Sequence, residues 1–218
     1  MQITHLGHSC VLIEAGGARL LLDPGGFTPG WETTQGLDAV LVTHEHADHL
    51  DRDRLPALLA GNPGARLVTE PGLAGQLAGS VDRDPEPLAA GSSTTIGKLR
   101  VTATGGRHAV IHADIPRIGN VGYLIAETSG DGRTLYHPGD MLEAVPDGVD
   151  LLAVPISAPW EAIKETVDFV RAVGAPVAFP IHDAVLSPTG RGLYQNVLRG
   201  LTTGTELRDL LGAGAVSL

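Results

Sequence analysis

Four potential metal donors fall within six residues at His44-x-His46-x-Asp48-His49. Neutral imidazole and carboxylate are natural ligands for Zn²⁺, Mn²⁺ or Fe²⁺. The run Ala39-Val40-Leu41-Val42 stands just before them. A short continuous apolar run of this kind reads as a buried strand. If strand geometry persists to its end, the period of two puts His44 and His46 on one face. The turn that follows then brings Asp48 and His49 round, and one short segment can serve two adjacent ions. Three later stretches also place a donor at the end of an extended run. They are Gly105-Gly106-Arg107-His108, Tyr136-His137-Pro138-Gly139-Asp140 and Phe179-Pro180-Ile181-His182-Asp183. Loops on a rigid scaffold are where sites are usually built.

The elements that must hold these loops are strand-rich. Residues 10–13 and 18–22 read as strands joined by a Gly16-Gly17 turn, and Asp23-Pro24-Gly25-Gly26 closes the second. Leu55, Leu58 and Leu59 have helical spacing, with Asp51 as N-cap and Gly61 as stop. A strand is expected at 65–69, a helix at 73–78, and short strands separated by turns over 80–104. Residues 121–127 and 133–136 read as a hairpin across Ser129-Gly130-Asp131-Gly132. A buried strand at 151–156 precedes a helix carrying Ile163, Val167 and Val170, which ends at Gly174-Ala175-Pro176. A strand over 177–181 runs into His182. The tail, 190–218, reads as irregular, with a helix over 206–211. Helices covering mixed sheets is the simplest layer solution.

The chain has 218 residues, 43% of them hydrophobic and 18% charged, which fits one globular domain, 1–218, with a real core. The single cysteine, Cys10, excludes a disulfide scaffold. A net charge of −10 with only two lysines, Lys98 and Lys164, argues against a nucleic-acid partner. No apolar run is long enough to span a bilayer, and the N-terminus lacks the pattern of a signal peptide. The expectation is a cytoplasmic protein with a small-molecule substrate and no membrane partner; an oligomer stays open.

The motif His44 to His49, followed in order by His108, Asp140 and His182, resembles the signature of the metallo-β-lactamase-fold superfamily. The likeness runs over essentially the whole chain. Leu6-Gly7-His8-Ser9-Cys10 and Leu21-Leu22-Asp23-Pro24 are similar to its compact metal-dependent hydrolase branch, which contains L-ascorbate-6-phosphate lactonase. The resemblance implies an α/β fold, an αββα sandwich of two mixed β-sheets flanked by helices, with the metal site at one edge. It implies that His44, His46 and His108 hold one divalent ion, that Asp48, His49 and His182 hold a second, and that Asp140 bridges them. Zinc is the first expectation, with manganese, iron or nickel as alternatives. A hydroxide between the ions would attack an ester, lactone or phosphodiester, with Asp48 orienting the water or taking its proton. A mononuclear iron oxygenase and a nuclease of the same superfamily are the competing readings.

Several residues have two readings at this level. His112 competes with His108 as the third histidine, with the Gly-rich turn favouring His108. His8 lines the pocket or bonds to a ligand, or else is structural. Asp23 supports the site from behind or is a solvated turn residue. His137 is a supporting or structural residue, and His5 a plain strand residue. Cys10 belongs to the core. Trp160 walls a substrate pocket or packs its loop, and Trp31 lies in a Gly/Pro-rich loop. Loops 24–36, 105–118 and 157–162 are the candidates for shaping specificity.

Overall fold

The computed structural model describes residues 1–129 and 132–218. One sheet contains β1 (Gln2–Gly7), β2 (Cys10–Ala15), β3 (Ala18–Leu22), β4 (Ala39–Val42), β5 (Arg66–Thr69) and β6 (Glu86–Pro87). The other contains β7 (Ser93–Ile96), β8 (Leu99–Gly105), β9 (Val121–Glu127), β10 (Thr134–His137), β11 (Leu151–Pro155), β12 (Val177–Ile181) and β13 (Glu206–Leu207). The last strand, β14 (Val216–Ser217), returns to the first sheet, which has the order β14-β1-β2-β3-β4-β5-β6. The second has the order β13-β12-β11-β10-β9-β8-β7. Four helices complete the fold: α1 (Leu55–Gly61), α2 (Pro71–Leu77), α3 (Ile163–Val173) and α4 (Pro188–Leu201).

The layers follow from strand alternation. Val11, Ile13, Leu20, Leu22 and Leu41 face the second sheet, where Val101, Tyr123, Ile125, Ala153 and Phe179 meet them. The alternate residues Cys10, Leu12, Leu21, Val40 and Val42 pack outward against Leu55, Leu58 and Leu59 of α1 and Leu73 and Leu77 of α2. Leu152, Val154 and Ala178 face outward from the second sheet onto Val167, Phe169 and Val170 of α3 and Leu198 of α4. Strands covered on both faces read as unbroken apolar runs for this reason. The four-layer αββα sandwich is the architecture expected from the sequence.

β1 and β3 run the same way, β4 is parallel to β3, and β10, β11 and β12 are parallel to one another. The carboxyl ends of these strands gather at one end of the sandwich, where open α/β sheets bind ligands.

The structure corrects several local expectations. The tail helix lies at Pro188–Leu201, and residues 206–207 form an edge strand. Gly190, Gly192 and Gly200 lower the helix propensity of that segment, and only Gln195 and Leu198 are buried on it. Its readable signal was at the start: Ser187 caps the Gly190 N–H and Pro188 occupies the first turn. Asp51 accepts from the amides of Asp53 and Arg54, one turn before α1 begins, and Gly61 lies inside that helix. Trp31 forms a 3₁₀ turn with its indole fully buried, donating to the Gly25 carbonyl and lying under the Arg54 guanidinium. The β9–β10 hairpin is present, while Gly130 and Asp131 of its expected turn lie outside the described residues.

Candidate metal centre

The donors converge from loops rather than from a strand face. β4 ends at Val42, so His44 and His46 are not set by the pleat, contrary to the simple periodicity argument. Their rings nonetheless meet, His44 Nε2 lying 3.1 Å from His46 Nδ1. His108 follows β8, Asp140 follows β10 and His182 follows β12. Two groups of potential ligand atoms result, each with all members within 4.8 Å of one another. One is His44, His46, His108 and Asp140; the other is His8, Asp48, His49 and His182. Asp140 belongs to the first group, but it also touches the second: His182 Nε2 is 3.3 Å from its Oδ2, and His49 Nε2 is 2.9 Å from its Oδ1.

The imidazoles are oriented from behind. His108 Nδ1–H donates to the Ala109 carbonyl at 2.7 Å, and His182 Nδ1–H donates to the Ser157 carbonyl at 2.7 Å. A carbonyl only accepts, so each ring turns its Nε2 lone pair inward. Both Nε2 atoms are buried without a hydrogen-bond partner. Asp23 does the same work for two more rings. Its Oδ2 accepts from His49 Nδ1 at 2.6 Å and from the Thr43 hydroxyl at 2.7 Å, and that hydroxyl in turn accepts from His44 Nδ1 at 3.0 Å. Asp23 Oδ1 takes the Thr43 amide at 2.8 Å. One buried carboxylate therefore fixes a histidine in each group. Partners of this kind fix tautomer and ring orientation in metal sites.

The electrostatics call for a cation. Burial alone would raise the Asp140 carboxyl, yet His49 and His182 draw it well below the usual range. Asp48 behaves alike, held down by the His182 imidazole 3.4 Å away and by its hydrogen bond from His8. Burial would lower His182, but Asp140 and Asp48 hold it at about 10. His49 is likewise held well above its usual value against burial by Asp140 and Asp23. The protons these rings bind mark where positive charge is stabilised, and a divalent ion would displace them. With those protons displaced, the inward nitrogens and the ionised carboxylates form a donor set that fits divalent ions.

Among the described residues, the only non-glycine positions with left-handed φ are His8 (46°), Asp23 (44°) and His182 (58°). All three lie at this centre, where unusual backbone states tend to cluster. The His182 amide donates to the His8 carbonyl at 3.0 Å, so two of them brace each other across the sheets.

Residues 2–182 match the family model described as a beta-lactamase superfamily domain. The chain belongs to the beta-lactamase superfamily. It is 47% identical over 220 residues to Protein Rv0786c of Mycobacterium tuberculosis, covering 100% of both chains. It is 31% identical over 194 residues to a UPF0173 metal-dependent hydrolase of Methanospirillum hungatei, covering 84% of this chain and 82% of that one. Among solved structures, Igni18, a metallo hydrolase from Ignicoccus hospitalis, superposes with a TM-score of 0.74 at 17% identity, covering 99% of this chain and 97% of the other.

Other residues of this superfamily member take clear places. His112 is exposed and accepts from the Asp114 amide, outside both donor groups, so His108 is the histidine at the centre. The Gly-rich turn before His108 had favoured it over His112 in the sequence, and the structure agrees. His8 is buried; its Nδ1 accepts from the Ala184 amide at 3.3 Å, so Nε2–H donates to Asp48 Oδ2 at 3.0 Å. It orients a carboxylate rather than offering a bare nitrogen. His5, on β1, donates to the His8 carbonyl at 2.8 Å. His137 is structural: Nε2 donates to the Ser9 carbonyl and Nδ1 accepts from the Gly139 amide. Cys10 is buried in the layer under α1 and α2. Trp160 does more than pack its loop, since its indole N–H donates to Asp140 Oδ2 at 2.9 Å. Sequence reasoning missed Asn120, whose side-chain oxygen accepts from the Asp140 amide and whose NH₂ donates to the Pro138 carbonyl. No spacing rule signals it.

Two expectations arise here. Asp23→Asn keeps the shape of the hub but replaces one oxygen by an amide that cannot accept. Metal affinity should fall about 10- to 100-fold, read by competition with a chromogenic chelator. Unchanged affinity would remove Asp23 from the centre's support. The second concerns Glu161, whose carboxyl burial pushes up to about 8, with the Thr166 hydroxyl donating to its Oε1. Its Oε2 is buried without a partner. A folded pKa above the unfolded one means stability is full below about pH 4.5 and is lost as pH rises toward 8. Glu161→Gln should therefore match the parent near pH 4 and be more stable at pH 8, by a few kcal/mol at about 1.4 kcal/mol per pKa unit. Chemical denaturation at both pH values reads this; equal gains at both would refute it.

Proposed function

We propose that this chain is a dinuclear metal-dependent hydrolase that cleaves a small ester, lactone or phosphodiester. The observation that carries the reading is the seven-donor set, divided into two groups that meet at Asp140. His44, His46 and His108 would hold one ion, Asp48, His49 and His182 the other, with Asp140 between them. Such a pair would acidify a bound water to a pKa of about 7 and would polarise a carbonyl or phosphoryl oxygen. Everything else is the work of the protein. Asp23, Thr43 and the Ala109 and Ser157 carbonyls hold the rings in the binding tautomer. His8 holds Asp48 Oδ2, and Asp48 Oδ1 takes no part in these contacts. Asp48 is also 19% exposed at its side chain, the carboxylate of the centre open to incoming water. Its place suits it to orient the attacking water and to accept its proton. No serine or cysteine nucleophile is called for, and Cys10 is buried in the layer under α1 and α2.

The test is elemental analysis of untagged protein purified without chelators, paired with turnover on short esters, lactones and phosphodiesters. About two divalent ions per chain with hydrolysis of one class supports the proposal. One iron per chain with oxygen uptake replaces it by the oxygenase reading. No bound metal after reconstitution ends it.

A further inference from the structure

We propose that an apolar groove beside Trp160 receives an alkyl portion of the substrate that carries no negative charge. This rests on the hydrolase reading and deepens it by naming a substrate class. The groove encloses about 550 Å³, a size suited to a small-molecule site. Three loops and a helix build it: the loop after β8 with Val110, the loop after β10 with Leu142 and Val145, the loop after β11 with Trp160, and α3 with Phe169 and Ala172.

It adjoins the metal centre through two shared wall residues, Trp160 and Ala109. Trp160 forms one wall and donates to Asp140 Oδ2, and its ring lies 6.0 Å from His108 and 6.4 Å from His182, edge to face with each. Ala109, also in the lining, donates its amide to the Asp140 carbonyl. A chain lying in the groove therefore runs along that wall, one residue away from Asp140. Val110 and Val145 are 53% and 44% exposed there, and covering such surface is the free energy an alkyl chain brings.

The charge around the groove selects further. Glu143, Glu165 and Asp168 are its charged lining residues, and among the described residues no lysine, arginine or histidine lines it. Arg117 reaches Glu143 at 3.1 Å but is not part of the lining. Glu165 is spent on the Ala162 amide at the start of α3. Asp168 likewise has Arg171 at 3.9 Å outside the lining, so a carboxylate or phosphate carried on the chain would meet no cation within the groove itself. A sugar phosphate, as the likeness to L-ascorbate-6-phosphate lactonase would suggest, has no counter-ion in this groove. Loops 105–118 and 157–162 were expected to shape specificity; loop 142–145 was not.

The test uses metal-loaded full-length protein and the non-hydrolysable series N-butyl- to N-octylacetamide. Binding is read by calorimetry and by tryptophan fluorescence, with Trp31 a constant background under the other sheet. Affinity should tighten roughly two- to fourfold per added methylene. An octyl analogue ending in a carboxylate should bind at least tenfold more weakly. Ala172→Glu and Val145→Glu, both at exposed positions, should flatten the chain-length dependence. No dependence on chain length, or equal binding of the carboxylate analogue, overturns the groove assignment. If that happens while short esters are still hydrolysed, the hydrolase reading stands alone. If the series binds as expected but no ester, lactone or phosphodiester of the same chains is cleaved, the groove stands and the hydrolase reading falls.

Discussion

Asp140→Asn should lower kcat by about 10³-fold or more while leaving the chain folded. The carboxylate contacts both donor groups, with His108 and His182 Nε2 each 3.3 Å from Oδ2 and His49 Nε2 2.9 Å from Oδ1. An amide keeps one accepting oxygen and replaces the other with a donor, so one side of the centre loses its ligand and both lose the charge. Metal catalysis of this type contributes several kcal/mol to transition-state stabilisation, and each ~1.4 kcal/mol is tenfold in rate. The fold should persist because the backbone anchors are untouched. The residue-140 amide still donates to Asn120, and its carbonyl still accepts from Ala109. The retained side-chain oxygen can still take the Trp160 indole. The discriminating measurement is metal content beside rate. A drop from two ions toward one with an unchanged circular dichroism spectrum is expected. Full turnover with two ions bound would remove Asp140 from the shared position.

The four-layer architecture was legible because β2, β3, β4, β11 and β12 are apolar on both faces, and only a sheet sandwiched between layers makes such runs. The donors were legible by a different signal, polar residues at the ends of those runs. What could not be read was which groups the supporting residues would touch. Asp23 could be read as a support or as a solvated turn residue, but nothing local names its partners, Thr43 and His49, 20 and 26 residues on. Trp160 and Asp140 meet only because β10 and β11 are neighbours in the sheet. The tail helix was missed for a local reason, since its glycines and nearly polar surface hide the 3.6-residue period. Contacts between loops depend on sheet order, and sheet order is not written in any one segment.

Gly25→Ala should be as damaging as the loss of a donor, although Gly25 holds no metal and no substrate. A Cβ built there would lie 1.7 Å from the Asp48 carbonyl oxygen, 2.1 Å from its carbon and 2.6 Å from the His49 nitrogen. The position does not need a left-handed backbone; it needs the space. Neither side can yield cheaply, because the two loops are tied together. Gly26 N–H donates to the Ala47 carbonyl at 2.7 Å, Asp51 N–H to the Pro24 carbonyl at 3.0 Å, and the Trp31 indole to the Gly25 carbonyl at 3.0 Å. Overpacking costs about 1–3 kcal/mol in side-chain cores, and an overlap with backbone sits at or above the upper end. At ~2–4 °C per kcal/mol for a chain of this size, Tm should fall by about 6–12 °C. The forced shift moves Asp48 and His49 together, so metal content should fall as well, through the group that includes His182 and not through His108. Gly64→Ala, which meets nothing within 4 Å, is the matched control and should leave both quantities unchanged. If Gly25→Ala melts with the parent and binds the same metal, the Asp23-Pro24-Gly25-Gly26 turn is not the template for the His44–His49 segment. If it loses both, that turn is as much a part of the site as the histidines it packs beneath.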